Sequence, residues 1–297
     1  MATAAEWREK ARHVEAIGCE ALYLADHFKD QLSPIAAMTA AADATTTLKV
    51  GSLVFDNDYR HPVVLAREMA TVDVLSGGRL HLGIGAGWLE SDYVQAGIPY
   101  DSPGTRIERL EESLKIIKGM FAGGPFSFSG KHYSVKDVEG SPLPLQKPHP
   151  PILLGGGGRR MLQLAAREAD IVHINYDLRE GRVNPELVRT GMAGRTAGKL
   201  EWVREAAGER FEQIELGFTI FLAVVTDDRE SMAATLAAGM HAEPSDVLEM
   251  PHFLIGTVDQ MAEALIERRE RYGFSFVVLP GESLEPLEPL VERLAGN

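Results

Sequence analysis

Short apolar runs alternate with amphipathic helical stretches along almost the whole chain, and this alternation restricts the fold more than any other feature. It predicts seven parallel strands, near residues 21, 48, 79, 151, 170, 214 and 274. Strands that alternate with helices form a parallel sheet with right-handed crossovers. A chain of 297 residues is long enough for one α/β barrel, which commonly runs to ~250 residues as a single domain. We therefore predict one α/β-barrel domain over residues 1–297.

Two segments interrupt this alternation, and one strand is missing from it. Residues 123–150 are predicted to form a hairpin around Gly130 and a proline-rich connector, and residues 241–256 an irregular loop. A closed (β/α)8 TIM barrel has eight strands and begins on a strand, whereas this sequence begins on a helix around Trp7. We expect a barrel without its first strand. Either it is open at that edge, or the sequence lacks an N-terminal segment.

Composition and charge exclude several classes of function. The net charge of −13 and the pI near 5.2 would repel a phosphate backbone or an anionic membrane, so we expect neither as a partner. Cys19 is the only cysteine, and the nine histidines show no ligand spacing, so no metal is assigned. Without a signal peptide or an apolar span of ~18 residues, a cytoplasmic protein acting on a small molecule is expected. The sequence leaves open whether the protein forms a homodimer.

The predicted strand ends carry residues that are suited to chemistry. In an α/β barrel the working residues lie where the strands end, all on one face. Here the ends carry an ionisable pair, a polar turn, two glycine turns and an amide–phenol pair. In chain order these are Asp26-His27, Phe55-Asp56-Asn57, Gly85-Ala86-Gly87-Trp88, Gly155-Gly156-Gly157-Gly158 with Arg159, and Asn175-Tyr176. Their convergence on one face predicts a ligand site there.

The two glycine turns are the predicted cofactor contacts. Without side chains at Gly85 and Gly87, the backbone can approach a flat or charged ligand closely. Gly155 to Gly158, followed by Arg159 and a helix, combine free N–H groups, a positive helix end and a guanidinium, which predicts an anion site. Neither turn matches a Walker loop or a Rossmann fingerprint. The alternative for both is a turn that binds nothing.

His27 is the candidate acid or base, because imidazole titrates near neutrality and this residue lies on the predicted active face. The alternative is a histidine with a purely structural role. Glu90 and Asp92 follow the first glycine turn, and two roles stay open for them. They either bind ligand hydroxyl groups or are solvated acids at the start of a helix.

Several motifs, taken in order, resemble the luciferase-like family of flavin- and deazaflavin-dependent oxidoreductases. They extend over nearly the whole chain, and their combination is specific although each motif alone is not. The motifs are Ala25-Asp-His-Phe28, Arg60-His-Pro62, Ala70-Thr-Val-Asp-Val-Leu-Ser-Gly-Gly-Arg79, Leu82-Gly-Ile-Gly-Ala-Gly-Trp88, Phe128-x-Gly-x-x-Tyr133 and Pro150-Pro-Ile-Leu-Leu-Gly-Gly156. The branch that uses coenzyme F420 is the most similar, while relatives that use FMN share most of these motifs.

The resemblance implies a TIM barrel of the luciferase-like type with a tricyclic ring lying across its strand ends. It places a bulge, often with a non-proline cis peptide, at Leu53-Val54 behind the ring. The first glycine turn also lies beside the ring, and Gly155 to Gly158 hold the phosphate. His27 is implied as acid or base in hydride transfer. Asp26, Asp56, Trp88 and Arg159 complete the predicted cofactor contacts.

The function implied is an oxidoreductase that moves a hydride between coenzyme F420, or alternatively FMN, and an unknown small organic substrate. One alternative is an FMN-dependent monooxygenase that uses reduced flavin and oxygen. A second is a non-catalytic flavin-binding protein. Trp88 stands where some deazaflavin sugar-phosphate dehydrogenases have a glutamate, so neither that substrate nor its proton donor is carried over.

Overall fold

A computed structural model describes residues 3–295. The α-helices of this part are α1 (Ala4–Ala16), α2 (Pro34–Ala44), α3 (Pro62–Leu75), α4 (Glu90–Ala96), α5 (Pro103–Ala122), α6 (Arg159–Glu168), α7 (Pro185–Arg189), α8 (Ala193–Ala207), α9 (Arg229–Met240), α10 (Pro244–Glu249), α11 (Val258–Tyr272) and α12 (Glu288–Leu294). The strands are β1 (Ala21–Leu24), β2 (Lys49–Ser52), β3 (Phe55–Asp56), β4 (Leu80–Gly85), β5 (Pro125–Ser129), β6 (Ser134–Glu139), β7 (Ile152–Gly156), β8 (Ile171–Ile174), β9 (Glu215–Thr219), β10 (Leu222–Val225), β11 (Phe253–Gly256) and β12 (Phe274–Val278). None of the helices in residues 3–295 has the length and apolar character that crossing a membrane requires.

The chain divides into two compact units, the first ending at Gly155 and the second beginning at Gly156. In the first unit β1, β2, β4 and β7 pair in that order, all parallel, and β3 also pairs with β4. Helices α1, α2, α3 and α5 pack successively against one another along this sheet. Every residue of β4 is buried, as expected for a parallel strand covered on both faces. The single-domain organisation stays a prediction.

The first helix and the hairpin of the first unit agree with the predictions from the sequence. Thr3 and Glu6 form a capping box at the start of α1, which is the first element of residues 3–295. Whether a strand belongs before it stays a prediction. Strands β5 and β6 form the antiparallel hairpin predicted within residues 123–150.

In the second unit β8, β9 and β12 form a parallel sheet with β9 in the centre, and β10 pairs separately with β11. The strand predicted near residue 214 is therefore two strands, β9 and β10. Between them the N–H of Ile220 donates to the carbonyl of Val278 (2.8 Å), and the N–H of Phe221 donates to the carbonyl of His252 (2.9 Å). The chain changes its pairing partner at this point, which interrupts the strand.

The prediction of an irregular loop at residues 241–256 is wrong, because α10 and β11 lie there. Pro244 is at the first position of α10, where its fixed φ favours the helix and its missing N–H costs nothing. Val247 and Met250 pack with the buried Phe253 of β11 in a core that α9 also lines. A helix of six residues and a strand of four are too short to show a periodic pattern in the sequence.

Candidate active site

In the first unit, a strand-end loop and a short helix bring His27 and Asp92 together. His27 follows β1, and Asp92 lies in the first turn of α4, just after the glycine turn of β4. Nδ1 of His27 lies 2.6 Å from Oδ2 of Asp92. The Asp92 side chain is 1% exposed and that of His27 is 21% exposed. An ionised carboxylate only accepts hydrogen bonds, so Nδ1 donates and Nε2 is left for a ligand or substrate.

Trp88 packs beside His27, and Glu90 takes no part in the His27–Asp92 pair. The indole of Trp88 contacts the His27 imidazole edge-on, with ring centroids 5.8 Å apart. Glu90 is exposed, whereas Asp92 is buried. Asp92 is therefore not the solvated acid that was one of its two expected roles. Its pairing with His27 was missed, because nothing in the spacing of residues 27 and 92 indicates it.

Asp26 ties the end of β1 to the loop after β3. Its carboxylate accepts two hydrogen bonds from the guanidinium of Arg60, at 2.5 and 3.0 Å. It also accepts one from the N–H of Asp56, at 3.1 Å. Asp26, a predicted cofactor contact, is thus hydrogen-bonded to Arg60 and Asp56. These bonds hold the loop that carries His27.

Asp56 belongs to a buried cluster of carboxyl and hydroxyl groups. Its Oδ1 accepts from the hydroxyl of Tyr93 at 3.0 Å and from the N–H of Asp58 at 2.9 Å. Tyr93 also donates to Asp58 at 3.1 Å, and Arg109 pairs with Asp58 at 2.8 Å. Burial raises the pKa of Asp56 to about 7, and the neighbouring carboxylate of Asp58 adds to the rise. Burial and the Asp56 carboxylate likewise raise the pKa of the Tyr93 hydroxyl.

The glycines of the first turn are explained by close packing of the protein on itself. A Cβ atom on Gly85 would lie 2.7 Å from Cγ2 of Val54. At Gly87, where φ is +75°, a Cβ atom would overlap the Tyr93 hydroxyl and the Asp56 carboxylate. The cis peptide expected at Leu53-Val54 is present. Protein atoms thus occupy the Cβ side of both glycines. The predicted cofactor contacts stay predictions at Leu53, Val54, Gly85, Ala86 and Gly87.

The second glycine turn leads from β7 into α6. A Cβ atom on Gly156 would lie 2.5 Å from Cγ of Met161, and one on Gly157 would overlap the carbonyl groups of Asn175 and Tyr176. Gly158 is different, because a Cβ atom there would meet Asp177 at 3.5 Å, an ordinary contact distance. Gly158 is also the N-cap of α6, and no side chain caps this helix end. A helix N-terminus of this kind suits an anion, because its N–H groups and the positive end of the helix dipole point toward it.

The structure places Arg159 against α8. Its guanidinium lies 3.7 Å from the carboxylate of Glu205 and 6.0 Å from the ring centre of Trp202. The Arg159 side chain is 60% exposed. The charge predicted to complete the anion site is thus engaged on the helix surface.

Lys199 is a buried cation next to the second turn that the sequence did not indicate. Its Nζ donates to the carbonyl groups of Asn175 (2.6 Å) and Thr190 (2.7 Å). Burial lowers the pKa of Lys199 to about 8. Tyr176, the predicted partner of Asn175, stacks on Phe221 with ring centroids 4.8 Å apart. The strand ends of the second unit thus carry aromatic surface and a cation held by backbone carbonyls.

The model of the luciferase-like monooxygenase family matches residues 1–275, and the chain belongs to this family. An FMNH2-dependent dimethylsulfone monooxygenase from Pseudomonas putida is 28% identical over 215 residues, 72% of this chain and 54% of that protein. An F420-dependent glucose-6-phosphate dehydrogenase from Amycolatopsis mediterranei is 29% identical over 170 residues, 54% of this chain and 50% of that protein. The matches thus span about half the length of these two relatives.

Solved structures confirm the fold. The coenzyme F420-dependent tetrahydromethanopterin reductase from Methanopyrus kandleri superposes with a TM-score of 0.73. The likeness covers 97% of this chain and 94% of that one, at 19% identity. The α/β, TIM-barrel-like fold predicted from the alternating strands and helices is therefore correct. The match to the family model confirms the family resemblance.

Proposed function

We propose that this protein is an oxidoreductase that moves a hydride between coenzyme F420, or alternatively FMN, and a small organic substrate. The His27–Asp92 pair carries this proposal. It is a partly exposed imidazole whose Nδ1 is held by a buried carboxylate, so Nε2 can exchange a proton with a substrate. The relatives described above are named for use of these two cofactors.

The chain offers groups that suit both chemical parts of such a cofactor, a flat ring and a phosphate. A flat ring needs apolar surface, and Phe28 (47% exposed) and the half-buried Trp88 offer it beside His27. A phosphate suits the positive end of a helix, and α6 begins at Gly158, which has no side chain in the way. When bound, the cofactor supplies the hydride chemistry. The protein's own part is to orient the ring, bind the phosphate and move a proton at His27.

The monooxygenase reaction is a second candidate. The similarity to the FMNH2-dependent enzyme from Pseudomonas putida favours it. The buried carboxyl cluster and the His27 site do not distinguish one cofactor from the other, since both present a tricyclic ring and a phosphate.

Titration of the purified protein with F420 and with FMN tests the proposal. We expect saturable binding of F420, and loss of its visible absorbance with at least one member of a panel of small organic hydride donors. Oxygen uptake with reduced FMN alone would favour the monooxygenase, and binding of neither cofactor would refute both candidates.

Replacing His27 separates chemistry from binding. His27→Gln should lower turnover ~10²–10⁴-fold, the range for general acid–base groups, with cofactor affinity changed less than about threefold. Glu90→Gln, at an exposed acid on α4, is the matched control and should leave both quantities unchanged. Turnover of His27→Gln close to that of the unaltered protein would show that the proton donor lies elsewhere.

A further inference from the structure

We propose that Asp92 is the positioning residue of this site and sets which nitrogen of His27 exchanges the proton. Its carboxylate holds His27 as the Nδ1–H tautomer and stabilises the positive charge that forms when Nε2 takes up a proton. In that step the bond between the substrate and its acidic hydrogen breaks and an Nε2–H bond forms. The reverse step returns the proton. This inference rests on the proposed role of His27.

The first argument is that Asp92 is buried and, within residues 3–295, forms an ion pair with His27 and with no arginine or lysine. A buried carboxylate is costly unless a cation or strong donor compensates it. The arginines beside the neighbouring carboxylates are engaged with them, since Arg60 pairs with Asp26, and Arg109 of α5 pairs with Asp58 and Asp101. The imidazole at 2.6 Å is thus the group that compensates Asp92. Protonation of Nε2 would strengthen this interaction.

The second argument is that Asp92 is held in place independently of His27. The next residue of α4, Tyr93, is buried and donates to both Asp56 and Asp58. These bonds fix the helix that carries Asp92 to the loop after β3. His27, by contrast, lies in an irregular loop and is in contact with Asp92 and Trp88. The carboxylate therefore orients the imidazole, and the imidazole does not orient the carboxylate.

An acid in the first turn of a helix also interacts favourably with the helix dipole, and this is the alternative role for Asp92. Glu90 occupies the same turn but is exposed. A dipole role predicts similar behaviour for the two acids. A positioning role predicts that Asp92 alone affects the imidazole of His27.

The test is nitrogen NMR of the histidine ring in the cofactor-free protein, with His27→Gln used to assign the His27 signals. We expect neutral His27 to carry its hydrogen on Nδ1 in the unaltered protein. In Asp92→Ala it should shift to the Nε2–H form that free imidazole side chains prefer, whereas Glu90→Gln should not change it. Asp92→Asn, of nearly the same shape, serves if Asp92→Ala proves unfolded by its melting curve.

Turnover supplies the second measurement. Asp92→Asn should lower turnover by up to ~10⁴-fold, the loss that the same change causes in a Ser-His-Asp triad. Combining it with His27→Gln should add little, because the two residues act as a unit. An unchanged tautomer with unchanged turnover in both Asp92 variants would overturn the inference and leave the proposed function standing. An unaltered protein with the expected tautomer but no turnover would refute only the proposed function.

Discussion

The two glycine turns are similar in sequence and differ in what fills the space beside them. In the turn after β4, Val54, Asp56 and Tyr93 occupy the places that side chains at Gly85 and Gly87 would take. In the turn after β7, Gly158 has room beside it and begins an uncapped helix. Glycine in a sequence marks a close approach of the backbone. Whether protein or ligand makes that approach depends on side chains far away in the chain.

The largest effect that tests this difference is the cost of a methyl group at Gly87. Gly87→Ala should destabilise the fold by ~2–5 kcal/mol, the sum of a left-handed backbone and overlap with a packed neighbour. Gly158→Ala should cost only ~0.5–1.5 kcal/mol, the loss expected when alanine replaces glycine as N-cap, because the Cβ atom has room and the backbone is extended. Urea unfolding of the two variants measures both. Equal losses would contradict the assignment of the first turn to protein packing.

The next effect concerns the carboxyl group packed under the first turn. Burial raises the pKa of Asp56 to about 7, well above its usual value near 3.9. The unfolded chain therefore releases this proton at lower pH than the folded protein does. Its contribution to the free energy of unfolding falls as pH rises from about 4 to about 7, by up to ~1.4 kcal/mol per unit. Above pH 7 the loss is complete and constant.

Asp56→Asn imitates the protonated acid and removes this dependence. Relative to the unaltered protein, the variant should gain stability as pH rises from 5 to 8, by ~2–3 kcal/mol in total. Unfolding in urea at four or more pH values measures the gain, with the exposed Glu90→Gln as control. If the difference between variant and parent is the same at every pH, Asp56 is ionised throughout and its cluster is better compensated than burial implies.

Local patterns were enough to predict the parallel strands, the hairpin and the strand ends that carry His27 and the glycines. They were insufficient where pairing joins residues distant in the chain. The Asp92 carboxylate reaches His27 from α4, and Tyr93 of the same helix is hydrogen-bonded to Asp56. Lys199 became a buried cation through two backbone carbonyls, of Asn175 and Thr190. No spacing rule connects such residues, since the tertiary fold alone brings them together.

The smallest expected effect sharpens the comparison at the second turn. The sequence predicts that Arg159→Ala weakens binding of a phosphate-bearing cofactor by ~1–3 kcal/mol, the cost of losing a charged hydrogen bond. The structure engages this exposed guanidinium with Glu205 and Trp202, so we expect an affinity change below about threefold. Stability should fall by less than ~1 kcal/mol, as for other surface ion pairs.

Glu205→Ala is the matched control, because it frees the guanidinium without removing it. Calorimetric titration with F420 and with FMN decides between the two expectations. A tenfold or greater loss of affinity in Arg159→Ala would show that the Arg159 side chain gives up its contacts with α8 to bind the phosphate. The start of α6 at Gly158 would then be only part of the anion site.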